Sequence, residues 1–106
     1  MSGWIGVDLD GTLAEYHLGT GKIGKPVPAM LDRVRNWLHQ GKDVRIFTAR
    51  ASSPVQRDEL LAEVHAWLIE NVGRDLPVTA TKDFSMIELW DDRCVHVEEN
   101  TGRVLG

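Results

Sequence analysis

Two pairs of aspartates carry the most chemistry in this sequence. Asp8 and Asp10 stand two apart in Asp8-Leu9-Asp10-Gly11-Thr12-Leu13, at the end of an apolar run and just before a glycine turn. Asp91 and Asp92 follow a second apolar run, Ile87 to Trp90. Carboxylates so close together beside a buried strand are costly unless a cation or hydrogen-bond donors offset them. A hard divalent ion such as Mg2+, which prefers oxygen ligands, is the natural counter-charge. A lone D-x-D is ordinarily a turn that caps itself through its side chains. Two acidic pairs, both at strand ends, make little sense as architecture and point to a metal or catalytic centre.

Between these pairs lies Phe47-Thr48-Ala49-Arg50, again following an apolar run. The Thr48 hydroxyl and the backbone N–H groups after it, beginning with Ala49, suit phosphate oxygens. Arg50 suits a further anionic group, and a surface salt bridge is its plainer reading. Lys82 follows a third run and adds a positive charge near the same rim, although a lysine met alone is usually a solvated surface residue.

The elements that must position these residues are short. Five apolar runs read as strands: Trp4 to Leu9, Val44 to Thr48, Val78 to Thr81, Ile87 to Trp90 and Cys94 to Val97. In the first, Ile5, Val7 and Leu9 share one face, with Trp4 opposite. A straight strand would send Asp8 and Asp10 to the same face, but at its carboxyl end the chain is leaving the sheet, where open α/β folds bind ligands. Two helices alternate with the strands. Over Pro28 to Gln40, Met30, Leu31, Val34, Trp37 and Leu38 fall on one helical face, and Gly41 supplies a left-handed stop. The second helix is expected to open on a capping box, Ser53-Pro54-Val55-Gln56, with Leu61, Val64, Leu68 and Val72 as its apolar stripe and Gly73 after it. Strand–helix–strand alternation implies right-handed parallel crossovers in a layered α/β domain. Gly11 to Val27 has no periodicity and reads as a loop or small flap. Lys82 to Met86 is too short for a crossover helix.

A chain of 106 residues fits one domain, here taken as 1–106. The net charge of -4 argues against a general binder of nucleic acid or anionic membrane. Cys94 is the only cysteine, which rules out an intrachain disulfide and suits a reducing cytosol. MSGWIGVDLDG lacks the basic region and long apolar run of a signal peptide, and no apolar stretch reaches membrane-spanning length. A soluble, cytoplasmic protein with no membrane partner is expected. The core is expected to take Trp4, Trp37, Trp67 and Trp90, and Cys94 is expected to be buried and inert. The four histidines lack zinc-like spacing; His17, beside Tyr16 in the flap, is the one placed to touch a substrate.

Taken in order, DLDGTLA (Asp8 to Ala14), FTAR (Phe47 to Arg50), Lys82 and LWDDR (Leu89 to Arg93) resemble the motifs of the haloacid-dehalogenase-like (HAD) superfamily of phosphatases and phosphotransferases, across nearly the whole chain. The resemblance implies a three-layer Rossmann-like HAD fold, with a parallel sheet of about five strands in the order 5-4-1-2-3. It leaves no room for a cap domain, so only the flap at 11–27 would shield the site. It implies Asp8 as the nucleophile that forms an aspartyl-phosphate, and Asp10 as general acid and then base. Thr48 and Lys82 would act on the transferring phosphoryl group. Mg2+ would be bound by Asp8, the backbone carbonyl of Asp10, Asp91 and Asp92. Which of Asp91 and Asp92 touches the ion directly stays open, with Asp92 preferred.

The activity so implied is magnesium-dependent hydrolysis of a phosphate monoester. FTAR and DDR look similar to signatures in polynucleotide kinase phosphatase domains and small phage and bacterial HAD-like phosphatases. The substrate is then a nucleotide, a polynucleotide end or a sugar phosphate. Phosphoryl transfer to an alcohol is a second reading. A non-catalytic phosphate-binding or regulatory module is a third, disfavoured because every expected reactive residue is present. An apolar patch left by the short link after Lys82 would favour a homodimer.

Overall fold

A computed structural model describes residues 3–106 and arranges them as β1 (Trp4–Val7), α1 (Pro28–His39), β2 (Asp43–Phe47), a 3-10 turn (Ala49–Ser52), α2 (Arg57–Asn71), β3 (Val78–Thr79) and β4 (Met86–Trp90). The strands form one parallel sheet in the order β3-β2-β1-β4. The architecture is mixed α/β, compatible with a Rossmann-like fold, with four strands among the described residues where about five were expected.

Alternation along β1 and β2 sends Ile5, Val7, Val44 and Ile46 to one face, where they join Met30 and Val34 of α1 and Val64, Trp67 and Leu68 of α2 in a single buried cluster. Both helices lie on that face: the Arg35 guanidinium of α1 donates to the Asn71 carbonyl of α2 at 2.7 Å. Right-handed crossovers that step in one direction, β1 to β2 to β3, must place their helices together. The expected third layer is therefore absent among the described residues.

The reason lies in residues 80–85, which join β3 to β4 without a helix. These strands are at opposite edges of the sheet, about 14 Å apart at ordinary strand spacing, so the link runs nearly extended across the face that the helices leave bare. Trp4 points to that face, donates its indole N–H to Asp83 at 2.8 Å, and lies under the Arg45 guanidinium at 4.8 Å. The ring is thereby 1 % exposed with no helix over it. Trp90 points the other way and packs on Trp37 of α1, ring centroids 5.2 Å apart.

The fifth expected strand, Cys94 to Val97, does not join the sheet. Val97 instead bridges Val104 in a small antiparallel hairpin, closed by Glu98 N–H to the Arg103 carbonyl at 2.7 Å. Asn100 and Gly102, both at positive φ, form its turn. Val95, Val97 and Val104 are exposed, and Cys94 is exposed too, against the expectation of a buried thiol. The second helix also starts later than its capping box implies. Gln56 holds a left-handed conformation at its N-cap, and the Ser53 hydroxyl is spent in its own turn on Val55. Gly41 and Gly73 do sit at positive φ after the two helices, as expected of C-terminal stops. No helix among the described residues is long and apolar enough to cross a membrane.

Candidate functional site

Strand register brings the motif residues to one rim. Val7 pairs with Ile46 on one side and Trp90 on the other, so the next residues of β1, β2 and β4 leave the sheet together. The Asp8 N–H donates to the Trp90 carbonyl at 2.9 Å, and the Thr48 N–H to the Thr79 carbonyl at 2.9 Å. After Asp8 the chain folds back at once: Leu13 and Ala14 N–H groups bond the Leu9 carbonyl at 3.1 and 2.8 Å, and Leu9, Leu13 and Ala14 are fully buried. Residues 12–14 are thus buried with the body, and the flap proper begins at Glu15.

The result is a cluster in which one carboxylate oxygen each from Asp8, Asp91 and Asp92 lies within 4.8 Å of the others. Thr12, singled out by no motif chemistry, ties it together. Its hydroxyl accepts the Asp92 N–H at 2.9 Å and faces Asp92 Oδ1 at 3.0 Å and Asp8 Oδ2 at 3.4 Å. Its position directly after the glycine turn was the available signal, since a hydroxyl there can serve both acidic pairs. Gly11 makes the approach possible. It sits at φ +93°, and a Cβ there would lie 2.8 to 2.9 Å from the oxygens of Asp92.

Burial pushes the Asp8 carboxyl from 3.8 up to about 7, and the negative charges of Asp91, Asp92 and Asp10 act in the same direction. Partial burial opposes ionisation of Asp92 as well, but hydrogen bonds from Thr12 and Asp8 outweigh it and hold Asp92 below the ordinary carboxylate value. An all-oxygen, anionic donor set in which one member resists ionisation for want of a counter-charge fits a hard divalent cation. These three aspartates could hold one.

A cavity of about 470 Å³ opens over the cluster, lined by Asp8, Asp10, Thr48, Ala49, Asp91 and Asp92 among the expected residues and also by Tyr16, Phe47 and Arg93. The Thr48 hydroxyl accepts the Arg50 N–H at 3.2 Å, which leaves its own proton available to a ligand.

Two expected site residues are not brought to the cavity. Arg50 turns away to Asp10, with Nε on Oδ2 at 2.8 Å and Nη2 on Oδ1 at 2.9 Å, so its direct grip on phosphate is replaced by an ion pair. The Asp10 side chain correspondingly lies outside the carboxylate cluster, because the chain has turned before reaching it. Lys82 lies in the crossing link, where it is exposed and does not line the cavity. In the flap, His17 is exposed and contacts Glu15 at 3.1 Å, and it is Tyr16 that reaches the cavity.

No protein-family model matches the sequence, and no curated protein matches it. Among solved structures, a conserved protein from Bacteroides thetaiotaomicron is similar, with a TM-score of 0.67 and 20% sequence identity over 90% of this chain and 79% of that one. At that identity the likeness speaks for the fold alone.

Proposed function

We propose that this chain is a HAD-type phosphatase that hydrolyses phosphate monoesters with the help of Mg2+. One observation carries the reading: Asp8 leaves β1 at the sheet's carboxyl rim with Asp91 and Asp92 within 4.8 Å, facing the cavity that Thr48 also lines. Asp8, Asp91 and Asp92 would hold the ion, and a divalent cation bound there supplies charge neutralisation for phosphoryl oxygens beside a carboxylate.

The chain's own residues then divide the work. An Asp8 oxygen attacks phosphorus, the bond from phosphorus to the leaving oxygen breaks, and that oxygen takes a proton from Asp10. Water next attacks the phosphorus of the aspartyl-phosphate and passes its proton to Asp10, releasing inorganic phosphate and free Asp8. Thr48 donates its hydroxyl, and Ala49 its backbone N–H, to the phosphoryl oxygens. Arg93 is the cationic side chain at the cavity wall, so the reading assigns no phosphate contact to Arg50 or Lys82. With no cap domain among the described residues, water has access to the acyl-phosphate, which favours hydrolysis over transfer to another alcohol.

The test is phosphate release from a panel of nucleotides, sugar phosphates and oligonucleotides with 3′ or 5′ phosphates, with Mg2+ or with EDTA, using Asp8→Asn as the blank. Magnesium-dependent release that vanishes in Asp8→Asn is the expected result, and the preferred panel member names the substrate class. Turnover that survives EDTA, or persists in Asp8→Asn, sinks the reading.

A further inference from the structure

The flap is tied to the body at two levels. Its base is fixed by Glu15 N–H to the Lys25 carbonyl at 2.8 Å, by the Ala14–Pro26 bridge, and by the Trp67 indole N–H to the Gly24 carbonyl at 2.9 Å. Its tip, residues 17–22, is exposed and bonded mostly within itself, as in Thr20 N–H to the His17 carbonyl at 3.5 Å and Lys22 N–H to the Thr20 hydroxyl at 3.3 Å. Among the described residues, one hydrogen bond joins the tip to the body: Arg50 Nη1 donates to the Gly21 carbonyl at 3.2 Å. The same guanidinium holds both oxygens of Asp10.

We propose that Arg50 is a positioning residue that fixes the flap tip and the Asp10 carboxyl as one unit at the mouth of the cavity. The inference rests on the phosphatase reading for its catalytic consequence and on geometry alone for the latch itself. The Arg50 side chain is 13% exposed and that of Asp10 22%, so the pair is shielded and its fork geometry is restrictive. A lysine offers one point charge and cannot hold two carboxylate oxygens and a carbonyl in a plane. Each Asp10 oxygen keeps a lone-pair site beyond the one its guanidinium N–H occupies, so Arg50 can aim Asp10 at a leaving group without touching the substrate. Tyr16, which lines the cavity, lies next to the tip, so the latch sets the cavity wall as well.

The experiment compares full-length wild type with Arg50→Lys and Arg50→Ala in two measurements. In hydrogen exchange, amides of 17–22 are expected to exchange at least about tenfold faster in both variants, with α1 amides unchanged, as one lost local contact implies. In steady-state kinetics with Mg2+, kcat for an alkyl phosphate is expected to fall about 100-fold, the scale of a misplaced general acid. For 4-nitrophenyl phosphate, whose leaving group needs no proton, kcat should fall less than about threefold on the same grounds. Unchanged exchange at the tip overturns the latch. Equal losses on both substrates overturn the positioning role, because a merely structural defect does not depend on the leaving group. If wild type hydrolyses neither substrate, the phosphatase reading fails, and the exchange measurement still decides the latch. If Arg50→Ala does not fold, Arg50→Lys carries both measurements.

Discussion

Asp8 and Asp10 are two residues apart, yet they occupy opposite electrostatic surroundings. Asp8 has two further carboxylates beside it, and burial together with those charges raises its pKa to about 7. Asp10 faces a guanidinium that reaches both its oxygens at 2.8 and 2.9 Å. The turn at Leu9 separates them by directing one side chain toward β4 and the other toward the 3-10 turn after β2. The lesson is that a D-x-D spacing does not make a pair of like sites: one aspartate is left wanting a counter-ion and the other already has one. The difference between the two aspartates is set by their surroundings instead of residue type.

The contrast is most sharply broken by neutralising each member in turn. Asp8→Asn should reduce turnover beyond detection, a loss of at least about 1,000-fold for a missing nucleophile, while far-UV circular dichroism stays native. Asp10→Asn should lose about 100- to 10,000-fold on alkyl phosphates, the range of a general acid, and retain much more activity on 4-nitrophenyl phosphate. Comparable losses on both substrates would mean that Asp10 is not the proton carrier.

Stability without metal should separate the two in the opposite sense. Asp10→Asn strands Arg50 in a shielded position and should cost about 1–3 kcal/mol in urea unfolding. Asp8→Asn removes a charge from a crowded acidic cluster and should stabilise the metal-free protein above neutral pH. Gly11→Ala should cost about 1–2 kcal/mol for its left-handed backbone, and it should weaken Mg2+-induced stabilisation because the new methyl group displaces Asp92. Full retention of that Mg2+ effect would remove Asp92 from the ion's ligands.

The smallest effect concerns pH. Because the folded-state value of Asp8 is about 7 against 3.8 unfolded, the native state holds an extra proton between those values. Its contribution to metal-free stability must then decline as pH rises from about 4 to about 7 and level off above. Asp92, shifted down, contributes with the opposite sign and only at the acid end, losing stability as pH falls. The difference in melting temperature between Asp8→Asn and wild type should therefore grow across this window. Mg2+, which needs Asp8 ionised, should raise the melting temperature more at about pH 8 than at about pH 5. A difference independent of pH would show that Asp8 titrates normally.

Much of the frame was legible in the residues. Short apolar runs located β1, β2 and β4 to within a residue or two, and the apolar stripe ending at Gly41 located α1, because segments that must be buried imprint their own pattern. The sequence order of the motifs also placed Thr48 and both acidic pairs at strand ends. The expected second-helix start failed because Ser53 bonds within its own turn. The expected fifth strand failed because a valine-rich segment followed by Asn100-Thr101-Gly102 closes on itself more readily than it docks on a sheet.

What the sequence by itself determined, then, is local: most of the strand and helix segments, and that aspartates terminate two of the strands. Period and turn chemistry act over a few residues, so they can be read from a few residues. Only the tertiary structure decided who faces whom. Parallel pairing of β1 with β4 put Thr12 against Asp92, 80 residues away, and folding of the 3-10 turn over the rim put Arg50 on Asp10, 40 residues away. The same packing carried Lys82 off the site, because a six-residue link must spend its length crossing the sheet. Such contacts depend on strand order and path length, which no local pattern encodes.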